Sequence, residues 1–191
     1  MAVIGAGVAG LTAAYLLARR HRVTLYERNG YLGGHTNTVT LPSGDAVDTG
    51  FIVLNDRTYP TFSRLLRHLG VPVRTSDMSF GYHDRLTGLC YAGHNANTLF
   101  ARRGNLLNPW FLRLVADMLR FNASAARDLP GLGLTRLGDY LDRKGYSGYF
   151  RRHYLLPMGA AIWSTPDRRM LDFPAATFIR FFLNHGLLSL T

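Results

Sequence analysis

Ala2-Val3-Ile4-Gly5-Ala6-Gly7-Val8-Ala9-Gly10-Leu11 reads as a short apolar strand, a glycine-rich turn and the opening of a helix. Each glycine has its own task. The strand must turn sharply at Gly5, Gly7 must lack a Cβ so that the backbone can approach a pyrophosphate, and Gly10 lets the helix pack closely on the strand. The start of the helix offers unpaired N–H groups and a partial positive charge, which together favour an anion. The helix is expected over 8–20, with Leu11, Ala14, Tyr15, Leu17 and Ala18 as its apolar face. A second strand, expected over 22–26, leads into Glu27, the only glutamate of the chain. A carboxylate 22 positions beyond Gly5 can accept hydrogen bonds from both hydroxyls of an adenosine ribose. It also repels a 2′-phosphate, which disfavours NADP.

Glycines accumulate in ordinary turns too, but here strand, glycines, helix, strand and acid occur in order. The set that would hold a dinucleotide therefore starts with Gly5, Ala6, Gly7, Val8, Ala9, Gly10 and Glu27. A second glycine pair follows in Gly30-Tyr31-Leu32-Gly33-Gly34, and Asp48-Thr49-Gly50-Phe51 closes the segment.

With these motifs the chain resembles the FAD-dependent flavoproteins of the amine-oxidase and phytoene-desaturase type. In that family the Rossmann turn is followed by an acid, a Gly-Gly pair and an Asp-x-Gly. Four later stretches, 55–60, 76–80, 155–164 and 184–188, resemble a bacterial subgroup described as predicted NAD/FAD-binding proteins. The resemblance implies FAD as cofactor and adds Arg28, Gly33, Gly34, His35, Asp48 and Gly50 to the cofactor-binding set. Many members have Arg directly after the glycine pair where this chain has His35, so an arginine contact to the phosphates is not carried over. The implied activity is oxidation of a C–N or C–C bond. NAD-dependent dehydrogenation on the same fold, or a non-catalytic nucleotide-binding module, are the alternatives.

The fold expected is α/β, with an incomplete Rossmann-like FAD/NAD(P)-binding segment over 1–56 and a mixed, largely helical substrate or cap region over 57–191. At 191 residues the chain is short for such flavoproteins, so the expectation is an N-terminal portion of a longer enzyme. The apolar residues 187–191 would then be a strand awaiting its partner.

The formal charge of +10 arises from 22 basic residues, all arginine except Lys144, and 12 acids. Such a balance suggests a polyanion or an anionic surface. The arginines, however, fall in scattered pairs such as Arg19-Arg20 and Arg151-Arg152 rather than in a tract, which argues against nucleic acid. The apolar run near the N-terminus is broken by the three turn glycines and has no basic flank, so it reads neither as a leader nor as a membrane span. One cysteine, Cys90, excludes an internal disulfide and fits a reducing cytoplasm. It is expected to be a buried structural thiol in a strand.

Beyond residue 56 the expectations are local. A helix over 57–69 would turn Phe62, Leu65, Leu66 and Leu69 inward and end at Gly70. Strands over 78–83 and 89–92 would flank a hairpin loop at 84–88. Asn108 should cap a helix with Pro109 at its first position. In that helix Arg113, Asp117 and Arg120 make a polar stripe, while Trp110, Phe111, Leu114, Val115, Met118, Leu119 and Phe121 cover the rest. Such a wide apolar face suits a buried helix, with a membrane-facing substrate gate as the alternative. Further helices are expected over 137–144, 149–162 and 173–184, the last capped by Asp172.

No His-Glu-x-x-His, paired cysteines or Gly-x-Ser-x-Gly elbow is present, and the seven histidines lack ligand spacing. No side chain stands out as general base, a silence that suits a flavin, which does its own redox chemistry. Aromatic residues make up 12% of the chain and lean the substrate toward a small apolar or lipid-like molecule. Peripheral membrane contact is left open; oligomeric state and electron acceptor are not addressed by the sequence.

Overall fold

The computed structural model describes residues 1–76, 79–163, 165 and 167–188. The chain divides into two compact units, Met1–Tyr59 and Pro60–Thr191. The first is built on strand β1 (Ala2–Ile4), helix α1 (Val8–Leu17) and strand β2 (Thr24–Tyr26). β1 and β2 pair in parallel, Val3 opposite Leu25, and a parallel pair needs just such a crossover helix. The helix is one turn shorter than its apolar pattern suggests. Arg20 and His21 donate their N–H groups to the Leu17 carbonyl, so the backbone closes into turns before the arginines. Tyr15 and Ala18 are exposed and no residue of α1 is fully buried.

A hairpin that the sequence reading did not foresee follows, with β3 (Thr38–Thr40) antiparallel to β4 (Ala46–Asp48). The Leu41-Pro42-Ser43-Gly44-Asp45 link supplies its turn, and Gly44 takes a positive φ of 89°.

The second unit is mainly helical: α2 (Pro60–His68), the hairpin β5 (Gly81–His83) and β6 (Cys90–Ala92), α3 (Ala96–Leu99), a 3₁₀ turn (Arg103–Leu107), then α4 (Pro109–Asp128), α5 (Leu137–Arg143), α6 (Gly148–Phe150), a π-helical turn (Arg151–Leu155), α7 (Leu156–Trp163), α8 (Asp167–Leu171) and α9 (Ala175–Asn184). Gly70 ends the α2 segment at φ 69°, as a left-handed stop should. Leu69, however, is half exposed, because it lies past the last helical turn; Phe62, Leu65 and Leu66 are partly buried. The Asp84–Gly88 loop joins β5 to β6 as expected. Asp84 accepts from the Leu86 N–H and the Thr87 hydroxyl, and Gly88 turns at φ 69°. The strands are shorter than expected, and Met78 lies outside the described residues.

Cys90 corrects an expectation. Strand side chains alternate between faces, Leu89 and Tyr91 point into the core, and Cys90 is therefore exposed.

α4 starts as its sequence dictates. Asn108 accepts from the N–H groups of Trp110 and Phe111 at 3.0 and 3.3 Å, and Pro109 sits at the first position, where its missing donor costs nothing. Phe111, Leu114, Met118, Phe121 and Ala125 are buried against α5, α6 and α9. Phe121 stands 5.7 Å from the Tyr146 ring, 5.8 Å from Phe150 and 6.5 Å from Phe182. Truncating it to alanine would cost roughly 3–5 kcal/mol by the usual rule for core aromatics. Trp110 and Leu119, expected inside, are exposed, so the helix is not buried all round. Asp117, expected on a polar stripe, is buried and organises the neighbourhood. Its carboxylate accepts from the Ser147 N–H at 2.9 Å and pairs with Arg113 and Arg120.

The helix expected over 149–162 is interrupted by the π turn for a covalent reason. Pro157 has no N–H, so the His153 carbonyl has no i+4 donor. The backbone register widens, with Leu156 donating to Arg151, and the Tyr91 hydroxyl donates to the His153 carbonyl at 2.6 Å.

α9 starts at Ala175 with Pro174 in the capping position, not with Asp172 as cap. The Leu137 N–H binds the Phe173 carbonyl, which holds 173 out of the helix, and Asp172 pairs with Arg136 at 3.2 Å. Of the strand expected at 187–191, Leu187 and Leu188 lie in a turn, and 189–191 fall outside the described residues.

Candidate dinucleotide-binding site

Gly5 makes the turn out of β1 at φ 90°, a backbone state that favours glycine, while its N–H bonds the Tyr26 carbonyl at 2.7 Å. Gly7, the residue before α1, is extended, and a Cβ built on it would meet nothing within 4 Å. The space over the turn is open. A Cβ on Gly10, by contrast, would collide with the Gly5 carbonyl oxygen, so Gly10 is required by helix–strand packing. Leu11 gives its N–H to the Gly7 carbonyl at 2.9 Å. Ahead of it lie Val8, Ala9 and Gly10. No side chain caps this end of the helix and no acid lies in its first turn.

Glu27 reaches back to this turn. One carboxylate oxygen accepts from the Ala6 N–H at 2.7 Å and the other from the Asn29 N–H at 2.8 Å. These two bonds, Asn29 first and Ala6 second, hold its pKa below the usual glutamate value. The acid thus ties the end of β2 to the glycine turn while retaining lone pairs for further donors. Arg28 is exposed and adds a smaller attraction to the same carboxylate.

The second glycine pair folds onto the first. Gly33 donates to the buried Ala6 carbonyl at 2.8 Å and forms a parallel bridge with Gly7. Gly33 and Gly34 both have positive φ, 105° and 60°, and a Cβ on Gly34 would lie 3.1 Å from the Gly7 Cα. A side chain at Gly34 would push the two turns apart, and one at Gly33 would collide with the Thr36 carbonyl. The chain then passes through His35, whose carbonyl accepts from Phe51 N–H at 2.8 Å and against which Gly50 packs without room for a Cβ. Gly50 is brought to the glycine loop in this way. Asp48 is on β4, exposed, with its carboxylate taking the Thr38 hydroxyl at 2.7 Å. The structure therefore converges 5–10, Glu27, Gly33 and Gly34 directly, His35 and Gly50 by one further step, and leaves Asp48 engaged within its hairpin.

The second unit holds a cluster that the sequence reading passed over. His153 is buried, with Nδ1 3.0 Å from the Tyr82 hydroxyl, 3.9 Å from the Asp84 carboxylate, and its ring 4.3 Å from that of Tyr149. Burial pushes its pKa below the ordinary histidine value, against the opposing pull of Asp84. Its sole sequence signal was the i, i+4 spacing to Tyr149. Nearby, Thr87, Leu89, Arg102, Gly104, Asn105, Asn108 and Tyr149 line an open cleft of about 220 Å³. Among the described residues no group of His, Cys, Asp or Glu could hold a metal ion, and no helix is long and apolar enough to cross a membrane.

Residues 3–69 match the family of NAD(P)-binding Rossmann-like domains. The chain is also similar to a carotenoid phi-ring synthase of Streptomyces griseus, 33% identical over 155 residues, which covers 74% of this chain and 29% of that protein. A cinnamate reductase of Clostridium sporogenes is 36% identical over 73 residues, 38% of this chain and 10% of that protein. The chain spans less than a third of the length of either relative. The match to this family over residues 3–69 and the strand–glycine turn–helix–strand–acid geometry of the first unit together give a Rossmann-like fold of the kind that holds a dinucleotide.

Proposed function

We propose that this domain binds FAD and serves a flavin-dependent oxidoreductase acting on a C–N or C–C bond of a small or apolar substrate. The observation that carries the reading is the docking of Gly33 and Gly34 on Gly7 and Ala6, which adds a second glycine wall to the pyrophosphate turn. The residues fit such a cofactor: the space at Gly5 and Gly7 is open to a ligand, and the first turn of α1 is uncapped by the protein. In this reading the N–H groups at the start of α1 hold the pyrophosphate, and Glu27 takes the ribose hydroxyls while staying anchored to Ala6 and Asn29. Gly33, Gly34, His35 and Gly50 shape the wall behind them, with Arg28 and Asp48 at the margin. When bound, FAD supplies hydride acceptance, and the protein's share is to position substrate and exclude water.

A dehydrogenase using NAD is the second reading, favoured by the description of the matched family. The purified 191-residue chain titrated with FAD and with NAD in a calorimeter separates them. Weak binding of FAD, still in preference to NAD, is the expected result. Saturation by NAD without FAD binding would replace the flavin reading with the dehydrogenase one.

A further inference from the structure

The open cleft of the second unit is walled by three pieces of chain that contacts hold in place. The connection between β5 and β6 supplies Leu89, the segment leading into α4 supplies Arg102, Gly104, Asn105 and Asn108, and α6 supplies Tyr149. Arg102 gives an N–H to the Gly88 carbonyl at 2.5 Å and the Asn105 amide gives one to the Cys90 carbonyl at 3.2 Å, which ties the first two pieces together. The Tyr149 ring rests 4.3 Å from that of buried His153, which backs the third. A Cβ on Gly104 would meet nothing within 4 Å, so the cleft is unobstructed there. Two polar groups on these walls keep unused capacity. Arg102 pairs with no carboxylate among the described residues, and its guanidinium retains further donors. Asn105 is 3% exposed, yet its side-chain oxygen accepts nothing from the described residues, a cost that a donor in the cleft would relieve. Asn108 has committed its oxygen to the start of α4 and offers only its amide N–H groups, beside the Tyr149 hydroxyl.

We propose that this cleft binds a small organic monoanion, a carboxylate with a hydroxyl or amino donor beside it, with Arg102 meeting the carboxylate and the Asn105 oxygen taking the donor. A guanidinium presents parallel N–H groups that match the two oxygens of a carboxylate. One cation calls for one negative charge. Asp84 stands behind the cleft wall, 2.7 Å from the Thr87 hydroxyl, and its charge opposes a dianion such as phosphate. The volume of about 220 Å³ lies below the roughly 300–1,000 Å³ of sites for drug-sized molecules, which restricts the ligand to a few carbons. Leu89, itself buried, gives that short chain an apolar contact. The cleft lies wholly within the second unit and owes nothing to which dinucleotide the first unit binds.

The test is titration of the isotope-labelled 191-residue chain with sodium lactate, followed by NMR at the side-chain N–H resonances of Arg102, Asn105 and Asn108. Propionate, inorganic phosphate and chloride serve as comparison anions at equal ionic strength. Expected are saturable shifts with a dissociation constant on the order of 1 mM for lactate. Propionate, which lacks the donor, should bind on the order of fivefold more weakly. Arg102→Met should weaken lactate binding on the order of tenfold or more, while Arg103→Met, at an exposed neighbour that bonds Asn97 instead, leaves it unchanged. Backbone amide spectra verify that both variants keep the parent fold. Absence of saturable shifts in the unaltered chain overturns the proposal without recourse to any variant. So does an equal loss in the two arginine variants, which would mark attraction by net charge alone. Phosphate binding as tightly as lactate would overturn the carboxylate assignment, and equal affinity for lactate and propionate would overturn the part given to Asn105.

Discussion

Gly7 and Gly10 lie three residues apart in one turn, yet the structure gives them opposite roles, and paired substitutions separate these. At Gly10 a Cβ would run into the carbonyl oxygen of Gly5, a backbone atom that cannot swing aside. Gly10→Ala should therefore force α1 away from β1, at about 2–3 kcal/mol, the upper part of the overpacking range because the obstacle is backbone, less about 1 kcal/mol recovered because alanine suits a helix better than glycine. A net loss of about 1–2 kcal/mol in the N-terminal unit is expected. At Gly7 the added side chain meets no protein atom within 4 Å, and the residue is already extended at φ −74°. Gly7→Val should leave the fold nearly intact, apart from about 1 kcal/mol for a poorer residue at the head of the helix. It would also place a branched group where a pyrophosphate must approach, with dinucleotide affinity falling a hundredfold or more, equivalent to at least about 2.7 kcal/mol. Urea unfolding read by hydrogen exchange at β1 and β2, beside calorimetric titration of both variants, makes the comparison. Unchanged dinucleotide binding by Gly7→Val would refute the pyrophosphate assignment. A Gly10→Ala protein as stable as the parent would refute the packing argument.

Glu27→Gln should weaken dinucleotide binding roughly tenfold or more by calorimetry, since hydrogen bonds to a charged acceptor are the strong ones; affinity equal to the parent's would remove Glu27 from the site. The Glu27 pKa is lowered by the Asn29 and Ala6 N–H groups, so its stabilisation is fully present above the ordinary glutamate value and is lost as pH falls through the folded one. Acid titration of the Glu27 carboxyl by NMR should show that lowered midpoint. Asp117 is raised by burial but lowered further by Ser147 and the arginines, net below the usual aspartate value. Asp117→Ala should cost about 2–3 kcal/mol in thermal unfolding, because the Ser147 N–H loses its acceptor and two guanidinium groups lose their partner. A loss under about 0.5 kcal/mol would show that the arrangement does not stabilise the unit. Cys90, on the outward side of β6, should react stoichiometrically with a thiol reagent in the native protein. Protection until denaturant is added would contradict its exposure.

Features decided within a few residues of chain were legible in the sequence: the turn at Gly5, the Asn108-Pro109 start of α4, the Asp84–Gly88 loop and the stop at Gly70. Each depends on φ angles and side-chain-to-backbone bonds that neighbours in the chain determine among themselves. The strand–turn–helix–strand order and the family resemblance extended that legibility to a dinucleotide-binding fold. Tertiary structure decided what depends on partners far apart in sequence. Glu27 is bound to Ala6, 21 residues away, and Gly34 needs its missing side chain because Gly7 lies against it. The π turn at 151–155 follows from Pro157, which any reader of the sequence could see, but its carbonyl is satisfied by Tyr91, 62 residues away from His153. Hydropathy alone placed Trp110, Leu119 and Cys90 inside. Their exposure was set by which face of helix or strand the core occupied, a choice made by the packing of α4 on α5, α6 and α9 and of Leu89 and Tyr91 into the same core.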